Sequence, residues 1–204
     1  MDYEIDKQSN SHQLKFALND DDIINIRPDS IISKTASIRV KKSKSDSILS
    51  YFSTSGKNFP VKSVTSKNKR GFVTISPPLP GEIVAINSDE TDVKISTLFF
   101  IGYCGNDYNV KITDGVLNKN ENVATMVLSD SDEPIFLYGF NGIKTINLDA
   151  QQQTKVKREY LIGLEGNVSH TIDKEFVKIV GPGVVYLHAS SPFVMIDTFE
   201  KLGN

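Results

Sequence analysis

The 204-residue sequence predicts an all-β protein built from three repeated antiparallel units. Three observations carry that expectation. Short runs rich in Val, Ile, Thr, Tyr and Phe alternate with polar residues at period two, while apolar residues at helical spacing are scarce. Turn residues interrupt these runs every six to ten positions. One stretch, Ile146 to Ile172, also recurs twice upstream. Set 130 positions back, Leu148, Val156, Leu161, Ile162 and Val168 fall on Leu18, Ile26, Ile31, Ile32 and Ile38. Set 61 back, Val156, Leu161, Ile162 and Gly163 fall on Ile95, Phe100, Ile101 and Gly102.

Taken in order, Leu14, Phe16 and Leu18 form the first alternation and Asn19 to Asp22 the first turn. Ile24 and Ile26 follow, then the turn Arg27-Pro28-Asp29, then Ile31 and Ile32, then Ile38 and Val40. Between Lys42 and Arg70 the pattern lapses into Ser, Lys and Gly, with one apolar cluster at Ile48, Leu49, Tyr51 and Phe52 that reads as a short helix or an irregular turn. Alternation returns at Phe72 to Ile75 and stops at Pro77-Pro78-Leu79-Pro80, where prolines supply no N–H to a sheet.

Glu82 opens the second copy, which runs through Val93, Ile95, Leu98 to Ile101 and Tyr108 to Ile112, crosses the polar stretch Thr113 to Asn122, and resumes at Val123. Pro134 to Leu137 repeats Phe72 to Ile75, and Val184 to Leu187, after Gly181-Pro182-Gly183, is the third version. The repeats are approximately 13–80, 81–141 and 142–199 of a single 1–204 domain. Such units are too long for solenoid turns and too small to be stable alone. They are expected to be β-sandwich or jelly-roll-like and to pack into one body with a pseudo-threefold arrangement. Val156, Leu161, Ile162 and Val168, with their counterparts Ile26, Ile31, Ile32 and Ile38, are expected to be buried.

A chain of this length buries roughly 70% of its unfolded surface and needs no staple. The net charge is −2, but Arg39 to Arg70 holds nine Lys or Arg against Asp46, a local +8 that leaves −10 elsewhere. Lys67, Lys69 and Arg70, just before the strand at Phe72, are the candidate anion-binding residues. The lone Cys104 excludes an intrachain disulfide and reads as a small buried apolar residue. The acidic N-terminus resembles neither a secretory nor a mitochondrial presequence, and no run approaches the ~20 apolar residues of a membrane span. A soluble, cytoplasmic protein is expected.

Chemistry is sparse. His12, His170 and His188 stand apart, without the clustered imidazoles and carboxylate a β-jelly-roll metal centre needs. His188 falls out of phase with its apolar neighbours and reads as solvent-facing. No nucleophile elbow, phosphate loop or dinucleotide fingerprint occurs, and the acidic runs at Asp20 to Asp22 and Asp130 to Glu133 lack calcium-loop spacing. No catalytic residue, metal site or cofactor is expected.

Pro77-Pro78-Leu79-Pro80-Gly81-Glu82-Ile83-Val84, the Phe99 to Ile101 strand, Ile146-Asn147-Leu148-Asp149 with Val156 and Leu161, and Gly181 to Leu187 occur in the order of landmarks in the altered-inheritance-of-mitochondria-24 family. The chain resembles that family from Tyr3 to about Pro192. The resemblance implies a fold like that of the tryptophan RNA-binding attenuation protein, triplicated in one chain, and symmetric assembly. The fungal namesake supports organisation of the mitochondrial inner membrane, and the bacterial members are not known as enzymes. The chain departs from the family pattern at Ser43 to Lys69, at Asp114 to Asn122 and at His188. The expected function is therefore a non-enzymatic binding or assembly protein acting as a homo-oligomer, a trimer ahead of a dimer. The alternative is a nucleic-acid or anionic-surface binder working through the basic 39–70 segment.

Overall fold

The computed structural model describes residues 1–7, 11–42, 61–67, 69–88, 91–113 and 124–191. The apolar cluster at Ile48 to Phe52 and the polar stretch at Asp114 to Asn122 lie outside these residues. Every described regular element is a strand or a single 3-10 turn, so the all-β expectation holds. The first group of strands is β1 (Asp2–Asp6), β2 (Gln13–Leu18), β3 (Ile23–Ile26), β4 (Ile31–Lys34), β5 (Ile38–Lys42), β6 (Lys62–Ser66) and β7 (Gly71–Ile75). The second is β8 (Gly81–Ile86), β9 (Val93–Ser96), β10 (Phe100–Cys104), β11 (Asn109–Thr113), β12 (Thr125–Ser129) and β13 (Ile135–Phe140). The third is β14 (Ile143–Leu148), β15 (Gln153–Lys157), β16 (Leu161–Glu165), β17 (Ser169–Asp173), β18 (Phe176–Val180) and β19 (Gly183–His188). The 3-10 turns Pro28–Ser30 and Arg158–Tyr160 precede β4 and β16 at the same spacing as the sequence copies.

All pairings are antiparallel and recur from group to group. The last strand of each group sits between two earlier ones, as β2-β7-β4, β8-β13-β10 and β14-β19-β16, with β1 added outside β2 in the first. Its companions pair as β5-β6-β3, β11-β12-β9 and β17-β18-β15. Two further pairings join the groups in series: β3 pairs with β10, and β9 with β16. Among the described residues no third pairing closes the series, so the outer edge of β4 and the outer edge of β15 are both open.

Alternation in the sequence fixes which side chains turn inward. In β2, Leu14, Phe16 and Leu18 are buried, and their neighbours in β7, Val73 and Ile75, are buried with them. One core spans the first two groups and is centred on aromatic pairs such as Phe16 and Phe136, whose ring centroids lie 5.3 Å apart at 87°. Ile162 and Tyr186 of the third group reach into it. The remaining core of the third group is separate and is built from Leu148, Leu161, Leu164, Val177, Ile179 and Val185 among others. Each such side chain contributes about 1.5–3 kcal/mol by leaving water.

A β-bulge interrupts β4, β10 and β16 at matching places, between Ile31 and Ser33, Phe100 and Gly102, and Leu161 and Gly163. The extra residue is Ile32, Ile101 or Ile162. Ile101 and Ile162 are fully buried. Two burial expectations are corrected here: Ile31 is half-buried, and Ile32 is 54% exposed. The cause is position in the series. Ile101 and Ile162 have a preceding group to pack against, with a methyl of Ile162 close to Gly139 of β13. Among the described residues no strand pairs with β4 on the side away from β7.

Candidate functional site

Opposite the core, β1, β2 and β7 present an outer face whose residues are set by register. Asp2 pairs with Ala17 and Ala17 with Phe72; Glu4 pairs with Lys15 and Lys15 with Thr74. Phe16 and Val73 turn inward, so Ala17 and Phe72 must turn outward. These residues, with Arg70 and Tyr3, line an open hollow of about 420 Å³. Phe72 is 52% exposed, a large apolar surface left uncovered in a sheet whose other face is packed. Tyr3, which pairs with Phe16, turns its ring to the core face and sets it edge-on to Phe136, 5.0 Å between centroids.

The charges of the hollow are balanced: Asp2 and Glu4 against Lys15 and Arg70. Arg70 Nη2 donates to Asp2 Oδ2 at 2.5 Å, and its guanidinium carbon lies 5.8 Å from the centre of the Phe72 ring. Lys15 Nζ donates to Asp6 Oδ2 at 2.6 Å, and this bond raises the lysine pKa.

The three candidate anion-binding residues fall on the turn between β6 and β7, all exposed. The turn is fixed by its backbone: the Lys67 N–H donates to Ser37 O at 3.0 Å, and Ser66 Oγ donates to Lys69 O. Of the three, only Arg70 enters the hollow; Lys67 and Lys69 are not among its lining residues. The sequence reading did not single out Phe72, Tyr3 and Asp2 as a site. The signal for Phe72 was present, since it stands out of phase with Val73 and Ile75.

Several titratable groups are buried, and burial is the leading cause of each shift. The Cys104 thiol is pushed up to about 12, which makes it inert, as a small buried apolar residue should be. Tyr138 is pushed up to about 12, and Tyr186 rises further, its burial reinforced by donation to Glu165. His188 corrects the sequence reading: it is 2% exposed, not solvent-facing. Its Nδ1 accepts from the Phe140 N–H at 2.9 Å, and the Phe99 ring lies 4.0 Å away. Packed at this seam between β19 and the second group, it is pushed down to about 3 by loss of water. Among the described residues no group of three or more His, Cys, Asp or Glu could hold a metal ion. No described helix is long and apolar enough to cross a membrane.

No curated protein sequence matches the chain. Among solved structures, the X-ray structure of a Streptococcus pyogenes protein, determined by structural genomics, is similar in fold with a TM-score of 0.83 at 14% identity. The match covers 98% of this chain and 99% of that one. The family model described as Mitochondrial biogenesis AIM24 matches residues 3–190, nearly the whole length over which the sequence landmarks run. The chain belongs to the AIM24 family.

Proposed function

We propose that this chain is a non-enzymatic binding and assembly protein that associates with further copies of itself through the hollow at Phe72. The exposure of Phe72 in that hollow is the observation that supports this reading. An uncovered aromatic ring flanked by paired charges is the composition of an interface centre, where aromatic and Arg side chains supply most of the binding energy. The charge balance favours a protein over a polyanion. Two acids and two bases around one apolar floor let a like surface, turned against it, meet opposite charges, and the closed symmetric arrangement of homo-oligomers supplies such a surface. Sedimentation at tens of micromolar should give the wild type an oligomeric mass, and Phe72→Glu should reduce it to that of the monomer. A strictly monomeric wild type contradicts the proposal.

A second reading, binding of nucleic acid or an anionic surface through Lys67, Lys69 and Arg70, is supported by their exposure on one turn. Asp2 weakens it by holding Arg70. Wild type should then bind mixed-sequence RNA or anionic vesicles at low salt and release them steeply as salt rises. Lys67→Ser/Lys69→Ser/Arg70→Ser should lose that binding with the fold intact. Absence of binding at low salt removes this reading.

A further inference from the structure

The two closed joints between groups share a local requirement. In the first, Gly102 of β10 lies opposite Ile26 of β3, and a Cβ on Gly102 would stand 2.7 Å from both Asn25 O and Ile26 Cγ2. In the second, Gly163 of β16 lies opposite Ile95 of β9, and a Cβ there would stand 2.8 Å from Lys94 O. The partner strand approaches so closely at the bulge that only glycine leaves room for its backbone. The neighbouring cross-strand pairs, Tyr103 with Asn25 and Leu164 with Lys94, bring at most one charge to the seam.

The open edges of β4 and β15 carry the same positions with different residues. Ser33 stands in β4 where β10 and β16 have glycine, and Val156 is the residue of β15 that would face it. Next to them, Lys34 would face Lys155. Both lysines are exposed; Lys155 Nζ donates to Asp173 Oδ2 and Lys34 Nζ to Ile38 O, each at 3.3 Å, and like charges directly opposite one another oppose strand pairing. Gln153 and Lys157 add to the polar rim of β15, as on edges that must not pair.

We infer that β4 and β15 are the two halves of a joint of the internal kind, and that Ser33 with the Lys34 and Lys155 charges closes it against a second copy of this chain. Copies are thereby kept from adding head to tail into open filaments, the outcome of a heterologous contact that does not close. The inference is independent of the hollow at Phe72, so it is tested in a Phe72→Glu background where association through that hollow is removed.

In that background, Ser33→Gly with Lys155→Glu supplies the glycine and turns the facing charges into a pair. Its self-association, measured by sedimentation over a concentration series, should be at least tenfold tighter than that of Phe72→Glu alone. Adding Lys34→Glu makes the facing charges alike again and should return the mass to the starting level. A second measurement removes the charges and isolates the glycine: Lys34→Cys protein is mixed with Lys155→Cys protein and oxidised, the buried Cys104 standing aside. A mixed disulfide should form readily with Ser33→Gly and not with Ser33. The inference is overturned if the glycine and charge variant associates no more tightly than its background, or if the disulfide forms equally well with Ser33.

Discussion

Ile162 and Ile32 occupy the same place in the same bulge, 130 residues apart, in strands paired to the same partner within their groups. Ile162 is fully buried and Ile32 is 54% exposed. Local sequence cannot account for the difference, because both are isoleucines at the head of similar strands. What differs is the neighbour: β16 lies against β9 of the preceding group, and among the described residues β4 is paired on one side only, with β7. Burial here belongs to the joint between groups, and a residue's environment follows from its place in the series more than from its own hydrophobicity.

The largest expected contrast is at this pair. Ile162→Ala should cost about 2–5 kcal/mol in denaturant unfolding, because it empties packed space. Ile32→Ala should stay within about 0.5 kcal/mol, as for an uncrowded surface position. Equal losses would break the comparison.

Acid sharpens it next. His188 packs at the seam of the second and third groups, neutral in the fold with its pKa at about 3, while the unfolded chain binds a proton below about 6.5. Its contribution is therefore complete above pH 6.5 and is lost as pH falls toward 3, on the order of a few kcal/mol at the low end. Unfolding free energies at pH 7 and pH 4 should show this slope in the wild type and a flatter one in His188→Gln. Identical slopes would place the imidazole in water.

The glycines come third. Gly163→Ala and Gly102→Ala each force a methyl against a partner backbone and should cost about 1–3 kcal/mol in thermal unfolding. Ser33→Ala, at the open edge, should be close to neutral. A small effect is expected in the hollow too, where Arg70→Ser removes an exposed ion pair with Asp2 and should change stability by less than about 1 kcal/mol.

Much of this was legible in the chain. Period-two alternation found β2 and β7, because each has one buried face and one that faces outward, whereas β13 is buried at every position and shows only as an apolar run. The 130-residue offset brought together Leu18 with Leu148, Ile26 with Val156, and Ile31 with Leu161, which lie in β2 and β14, β3 and β15, and β4 and β16, along with the 3-10 turns before β4 and β16. Val168, set against Ile38 of β5, lies just before β17. Strand β6 was hidden in the Ser/Lys stretch because only Val64 marks it as apolar, and its partners β3 and β5 hold it in place. Exposure of Ile32 and burial of His188 were illegible for a common reason: both depend on which group lies across a seam, and that is a long-range fact. The hollow at Phe72 was half legible, since the out-of-phase aromatic can be read from the sequence and the arrival of β1 beside it cannot.

The serial, open arrangement is tested most directly by native-state hydrogen exchange at two equivalent amides. The Arg27 N–H donates across the first joint to Ile101 O at 3.1 Å. Lys157 is its counterpart in β15. The Arg158 N–H turns toward β18 to donate to Glu175 O, so by strand alternation the Lys157 N–H turns to the open edge. Arg27 should exchange slowly, through an opening that breaks the joint, and Lys157 at nearly the rate of an unprotected amide. A Lys157 amide as protected as that of Arg27 would mean that the edge of β15 is paired, and would contradict the open end.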